Sequence, residues 1–242
     1  MMENLSMFAF RQALVEKDTA VLPIGALEGH GPHLPLATDN YIASWLAATF
    51  AQQVNAFLLP TLPYGQVWST ANFPGTLSLR EQTLTDILVD IAMSLDRQGV
   101  RYLVIVNSHY GNLGSMKAAA RELAQASTIK TMTFTHPELK KHASAVTDTS
   151  WCHPSYMHAD ETETSMMLSI APEHVDMDLA VKEYPDFPIW FDYTPVRWED
   201  VTKSGVLGDA TAATKCKGDT ILNGIVHTMI KIYQQYRRDN NG

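Results

Sequence analysis

The stretch RYLVIVNSHYGN, residues 101–112, decides the fold that this sequence predicts. Its centre, residues 103–106, is apolar and mostly β-branched, which is typical of a buried strand. Polar residues and a glycine follow at once, and a helical pattern begins at residue 114. A buried strand that runs into a polar loop and then a helix is the repeating unit of parallel α/β sheets.

Other stretches repeat this alternation along the chain. Further strands are predicted at 20–27, 56–65 and 130–137, and helices at 40–54, 78–99, 114–127 and 219–239. In the helix at 78–99, Ser78 and Glu81 match a capping box and Gly99 matches a C-terminal cap. The alternation predicts an α/β fold with a largely parallel sheet.

Two regions are less regular. Residues 136–160 and 172–204 are rich in Pro, Trp and Tyr, and they predict long loops or small elaborations of the main fold. Since neither reads as a second domain, and since 242 residues suit one large domain, residues 1–242 are expected to form a single domain.

Composition limits the possible partners and the compartment. The net charge is −8 and there is no block of Lys and Arg, which argues against nucleic acid and anionic membranes as partners. Cys152 and Cys216 lie far apart and outside any CxxC pattern, so a reducing compartment is expected. No signal-peptide pattern or membrane-spanning apolar run is visible. We therefore expect a cytoplasmic protein that acts on a small molecule.

The segment GALEGHGPHLPLATDN, residues 25–40, gathers titratable groups after a predicted strand. Glu28 and His30 are two residues apart, so in extended backbone their side chains point the same way. Asp39 stands before a helix, where it would alternatively serve as the N-cap. His33, beside two prolines, is expected to make hydrogen bonds within the loop.

A second polar loop, NSHYGN at 107–112, follows another strand of the predicted sheet. Ligands of open α/β sheets bind where strands end, so the two loops are expected to face each other. His109 would then join Glu28, His30 and Asp39 in a set of nitrogen and oxygen donors that suits Zn²⁺, Mn²⁺ or Fe²⁺. Taken alone, His109 reads equally well as an ordinary hydrogen-bonded loop histidine.

A third cluster, MHADETETS at 157–165, precedes an apolar run. Asp160 and Glu161 read either as functional acids or as residues that cap and charge the first turn of a helix. His158 and Glu163 are the stronger candidates for a functional role.

Five blocks resemble, in order, the motifs of the creatininase (creatinine amidohydrolase) family. They are LPIGALEGHGPHLPLATD, FPGTLSL, VIVNSHYGN, HADETETS and GVLGDATAATKCKG, which run from about residue 21 to residue 218. The resemblance implies a three-layer α/β/α sandwich, a metal-dependent hydrolase with two divalent ions per subunit, and a homo-oligomer that is often a hexamer.

The resemblance also implies a ligand set. One metal would be held by Glu28, Asp39 and His109. The second would be held by His30 and by Asp39 acting as a bridge. Creatininase has a ligating glutamate two residues after the loop histidine, whereas this sequence has Gly111 there. Glu163 or a water is left to complete that site.

The resemblance assigns His158 and Glu163 as catalytic residues, and His158 and Tyr110 as substrate contacts. Aromatic walls would come from the tryptophans, Trp68 first among them, with Trp151, Trp190 and Trp198 as the other candidates. Asp160 replaces the usual glycine of its block, and a substrate other than creatinine is expected.

The predicted reaction is hydrolysis of a C–N bond in a small cyclic amide or formamide by a metal-activated water, with His158 as proton donor. The alternatives are ring-opening hydrolysis of a cyclic ketone or cyclitol derivative, a non-catalytic module that binds metal or metabolite, and a structural oligomer without metal.

Overall fold

The computed structural model describes residues 1–240. Four strands form a parallel sheet in the order β2, β1, β3, β4, so the predicted α/β class is confirmed. The strands are β1 Thr19–Ile24, β2 Phe57–Leu58, β3 Tyr102–Asn107 and β4 Lys130–Thr135. The strand predicted at 56–65 is mostly wrong, because Pro60 and Pro63 lack the N–H that a ladder needs.

Seven helices surround the sheet within residues 1–240: α1 Met7–Ala13, α2 Thr38–Gln53, α3 Glu81–Arg97, α4 Leu113–Ala126, α5 Leu139–Ser144, α6 Glu161–Ile170 and α7 Lys215–Asn240. The four helices predicted at 40–54, 78–99, 114–127 and 219–239 correspond to α2, α3, α4 and α7. The short helix α5 falls in a region expected to be loop. None of these helices is long and apolar enough to cross a membrane.

The start of α3 corrects the predicted capping box. The helix begins at Glu81, after Arg80, and no side chain caps it. Ser78 instead accepts a hydrogen bond from the Val67 backbone N–H at 3.0 Å, which ties two loop segments together. At the other end, Gly99 has a φ of +91°, as expected for a glycine that follows a helix.

Alternate residues of the sheet face two separate apolar layers. Val21 and Val104 pack against α2, α6 and α7 on one face, while Leu22 and Leu103 pack against α3 and α4 on the other. The result is a three-layer α/β/α sandwich. In the irregular region that follows α6, β5 Lys182–Glu183 pairs antiparallel with β6 Gly208–Asp209, forming the small elaboration that was expected there.

The register of the two central strands brings their following loops together. Ile24 at the end of β1 pairs with Asn107 at the end of β3. The Asn112 amide then donates to the Gly25 carbonyl at 3.0 Å and to the Asn107 side chain at 2.9 Å. These hydrogen bonds join the two polar loops directly behind the candidate site.

The contact between α6 and α7 depends on Gly218. A methyl group added there would lie 1.9 Å from the Ser165 carbonyl oxygen, so the helices would have to separate. We expect Gly218→Ala to lower the free energy of unfolding by about 1–3 kcal/mol, as overpacked cores do. Urea denaturation checks this, with the exposed Asn223→Ala on the same helix as control. Equal stability of the two variants would contradict the close packing.

Candidate metal centre and active site

The structure gathers the predicted ligands at the carboxyl end of the sheet. Glu28 and His30 follow β1, and His109 follows β3. Asp39 is the second residue of α2, not its N-cap, because the helix begins at Thr38 after Ala37. The capping interpretation of Asp39 is therefore wrong, and its carboxylate lies among the histidines instead.

The cluster MHADETETS divides into structural and site residues. Asp160 is the N-cap of α6 and accepts the backbone N–H groups of Thr162 and Glu163 at 2.8 and 3.1 Å. Glu161 is paired with Lys217 of α7 at 2.6 Å. Glu163, in the same first turn, lies with its carboxylate 4.0 Å from His30 Nε2. Since Asp160 and Glu161 are used in holding α6, Glu163 is the acid of this cluster that faces the site.

His109 has an orientation set by the main chain. Its Nε2 donates to the Gln66 carbonyl at 2.8 Å. Its Nδ1 is thereby turned toward the acids and lies 3.1 Å from Glu28 Oε1 and 3.2 Å from Asp39 Oδ2. An imidazole held in this way presents one basic nitrogen to two carboxylates.

His30 follows the same pattern. Its Nδ1 donates to the Glu28 carbonyl at 3.1 Å, which turns Nε2 toward the acids. That nitrogen has no hydrogen-bond partner although it is buried, and it lies 3.6 Å from Asp39 Oδ1. Asp39 Oδ2 is also buried without a hydrogen bond. Unpartnered polar atoms are uncommon in protein interiors, and this site holds one on His30 and one on Asp39.

His158 repeats the arrangement a third time. Its Nε2 donates to the Gly29 carbonyl at 2.9 Å, and its Nδ1 lies 3.8 Å from Glu28 Oε1. The ring stacks on His30 with centroids 4.3 Å apart and meets the edge of Trp198 at 5.1 Å. Burial, with help from the charge of His30, lowers the pKa of His158 to about 4, so its ring is neutral at ordinary pH.

The acids and bases of this cluster perturb one another strongly. Burial alone would raise the pKa of Glu28 and Asp39, but the neighbouring imidazoles outweigh it and both pKa values fall below their usual range. Burial opposes a charge on His30, yet Asp39 raises its pKa to about 10. For Glu163 burial wins, and its pKa is raised. The buried carboxyl groups of Glu28, Asp39 and Glu163 together favour a positive charge between them.

The donor atoms form three sets whose members all lie within 4.8 Å of one another: Glu28, Asp39 and His109; His30, Asp39 and Glu163; Glu28, His30 and His158. Each of the six residues is at most 8% exposed. Nitrogen and oxygen donors without thiolates, together with the orphaned nitrogen of His30, fit Zn²⁺, Mn²⁺ or Fe²⁺. Asp39 is shared by the first two sets, and Glu163 belongs to the second set.

Gly111 has no room for a side chain. A Cβ built there would lie 2.1 Å from the Gln66 carbonyl oxygen and 2.4 Å from His109 Nε2. Both atoms belong to the hydrogen bond that orients His109. The local backbone therefore has no space for a carboxylate side chain at this position.

A cavity of about 600 Å³ opens over the cluster. Tyr110 and Trp198 are among the aromatic side chains that line it. The structure does not bring Trp68 to this wall. Trp68 is 39% exposed, and its ring packs against the Arg197 guanidinium, 3.9 Å away, so its contact with substrate stays a prediction.

Further hydrogen-bonded residues surround the ligand cluster. Thr70 donates to Glu28 Oε2 at 2.5 Å from a loop without a recognisable motif. Ser108 lies 2.9 Å from Nε2 of the buried His136, which reaches the site from the end of β4. His33 was predicted to hydrogen-bond locally, and its Nε2 contacts the Thr164 hydroxyl of α6 at 2.8 Å.

Comparisons with known proteins agree with this geometry. The sequence matches the creatininase family, described as creatinine amidohydrolase, over residues 3–233. It is 32% identical over 220 residues to the creatinine amidohydrolase of Pseudomonas putida, covering 84% of this chain and 83% of that protein. It is 30% identical over 234 residues to the mycofactocin precursor peptide peptidase of Mycolicibacterium smegmatis, covering 92% and 87%.

The fold agrees as well. A solved structure named "Creatininase Mn" superposes with a TM-score of 0.82 at 28% identity, covering 97% of each chain. The family match spans nearly the whole chain, and the named relatives are hydrolytic enzymes. This chain belongs to the creatininase family and is a hydrolase.

Proposed function

We propose that this protein is a metal-dependent amidohydrolase that cleaves a C–N bond of a small amide with an activated water. One observation carries the proposal. Three histidines, His30, His109 and His158, each donate one ring N–H to a backbone carbonyl and turn the other nitrogen toward buried carboxylates. This arrangement fixes the tautomer and raises the basicity of a metal-ligating imidazole.

Two divalent ions per subunit are the proposed cofactors. Glu28, Asp39 and His109 would hold one, and His30, Asp39 and Glu163 would hold the other. When bound, such ions lower the pKa of a coordinated water and polarise the substrate carbonyl. The manganese in the name of the solved relative supports this choice, and zinc and iron suit the same donors.

The chain's own side chains supply proton transfer. His158 lines the cavity, and its Nδ1 is the free nitrogen beside Glu28. We assign it to accept the proton of the attacking water at Nδ1 and to pass that proton to the leaving nitrogen. Water adds its oxygen to the carbonyl carbon, the C–N bond breaks, and the amine leaves with the transferred proton. Glu163, placed next to His30, would assist as a ligand or, where a water takes that place, as an acid.

Substrates of this activity are proposed to be small cyclic amides or formamides. A creatinine amidohydrolase and a peptide peptidase are both similar to this chain, and both names describe hydrolysis of an amide bond. Ring opening of a cyclic ketone or cyclitol derivative remains the second candidate reaction. A screen of lactams, formamides, peptides and cyclic ketones separates the two.

Removal of metal is expected to abolish this activity. Dialysis against a chelator should reduce turnover by at least about a hundredfold, since the activated water is lost, and added Mn²⁺ or Zn²⁺ should restore it. Elemental analysis of protein purified without chelator should give one to two transition-metal ions per chain. Protein that contains no stoichiometric transition metal would contradict the proposal, and a structural oligomer would then be the remaining interpretation. Bound metal without turnover on the whole panel would point to a non-catalytic binding module.

We also propose that residues 1–242 act as one domain within a cytoplasmic homo-oligomer, with a hexamer as the expected form. Both apolar layers pack on the same sheet, which supports one domain. Cys152 and Cys216 are both free thiols, which supports a reducing compartment. Met7 and Phe8 of α1 are 75% and 65% exposed, an apolar surface of the kind that subunits cover. Native mass spectrometry measures the subunit number.

A further inference from the structure

The cavity above the metal-ligand cluster has an unbalanced set of charges. Among residues 1–240, those that line it include no lysine or arginine. Beyond the cluster itself, the one charged side chain in its lining is Asp192. Arg197 is adjacent in sequence to the lining residues Val196 and Trp198, but its guanidinium is held by the carbonyl and the ring of Trp68. A substrate group that lies near Asp192 therefore meets negative charge.

Aromatic rings connect the cluster to Asp192. Trp198 contacts His158 at one end, with ring centroids 5.1 Å apart. Tyr156 contacts Trp198 at 6.3 Å and Phe191 at 5.9 Å. All three rings line the cavity. Aromatic surfaces attract cations as well as flat apolar groups.

The contact between Asp192 and His153 leaves the carboxylate charged. His153 Nε2 lies 3.4 Å from Asp192 Oδ2. His153 Nδ1 accepts the backbone N–H of Ser155 at 3.1 Å, so that nitrogen carries no proton. The ring is then a neutral imidazole with its N–H on the side of Asp192, and it cannot cancel the negative charge. The Asp192 side chain is 47% exposed, and Asp192 is one of the residues that line the cavity.

We propose that Asp192 is a specificity-determining residue that selects substrates with a cationic group, such as an ammonium or guanidinium, on the part of the molecule distant from the scissile amide. The cation would lie between the carboxylate and the rings of Tyr156, Phe191 and Trp198. A substrate with a carboxylate in that position is disfavoured, because no positive side chain of the lining receives it. The inference rests on the proposed amidohydrolase function and names its substrate class.

A binding experiment tests the site without turnover. The probe is benzyltrimethylammonium, whose nitrogen has no lone pair and cannot coordinate a metal. Calorimetric titration of the metal-loaded protein should show binding that weakens about three- to tenfold in Asp192→Asn, as expected for a half-exposed charge pair. The control Asp178→Asn removes an exposed acid that does not line the cavity, and it should match the unmodified protein. Equal affinity in all three proteins, or no binding, would overturn the proposal.

A kinetic experiment separates this inference from the proposed function. Pairs of amides that differ only in a terminal ammonium or hydroxyl are compared by kcat/KM. The unmodified enzyme should favour the ammonium member about three- to tenfold, and Asp192→Asn should bring the ratio toward one. Turnover without a charge preference would overturn the role of Asp192 alone. Absence of turnover on every amide would overturn the amidohydrolase, while the titration would still report on Asp192.

Discussion

Replacement of His109 by alanine is expected to reduce kcat/KM about a thousandfold or more, which corresponds to about 4 kcal/mol of transition-state stabilisation. His109 Nδ1 lies within 3.2 Å of both Glu28 and Asp39, so its loss removes the only nitrogen donor of that metal set. Metal content should fall together with activity. Steady-state kinetics and elemental analysis of the same preparation measure the two effects.

The fold of the His109→Ala variant should survive. The side chain is held by one hydrogen bond to the Gln66 carbonyl and packs at the edge of the cavity, not within either apolar layer. Circular dichroism and the thermal midpoint should stay close to those of the control His227→Ala, which removes an exposed imidazole from α7. Continued turnover in a folded His109→Ala protein would show that the ligand assignment is mistaken.

The second large effect concerns Gly111. Introducing the glutamate that creatininase carries at this place should damage the enzyme instead of completing a metal site. The new Cβ would lie 2.1 Å from the Gln66 carbonyl and 2.4 Å from His109, so either the loop or the imidazole must move. We expect Gly111→Glu to lower kcat/KM by about a hundredfold or more and to reduce stability by about 1–3 kcal/mol.

A nearby glycine provides the matched control. At Gly114 an added methyl group meets the end of the flexible Glu81 side chain at 2.8 Å, and no backbone atom is as close. Gly114→Ala should therefore keep most activity, while Gly111→Ala should already lose much of it. Activity of Gly111→Glu equal to or above that of the unmodified enzyme would mean that the loop adapts easily and would contradict this prediction.

The main elements of the fold could be predicted because their signals are local. The apolar run at residues 103–106 predicted β3, and the apolar stripe along residues 84–95 predicted most of α3. The errors arose where tertiary contacts override local patterns. Ser78 has the sequence of a cap but is bound to Val67 across a loop, and the prolines after Leu58 end β2 early. The short α5 has too few residues to show a period.

The candidate site was predictable to the extent that its residues fall in dense polar segments. Glu28, His30, Asp39 and His109 lie in two such segments, and strand order brings the segments together. Trp68 and Trp198 could not be told apart, because both lie in irregular loops whose course depends on the whole fold. No role for Asp192 could be predicted for the same reason, since a single acid in an irregular loop belongs to no sequence pattern.

The imidazole tautomers have a consequence for engineering. Their N–H partners are main-chain oxygens of Gln66, Glu28 and Gly29, so the amide side chain of Gln66 is not among the atoms that orient His109. Substitutions of the Gln66 side chain should therefore leave the orientation of His109 unchanged, because the hydrogen bond uses an oxygen that every residue type provides.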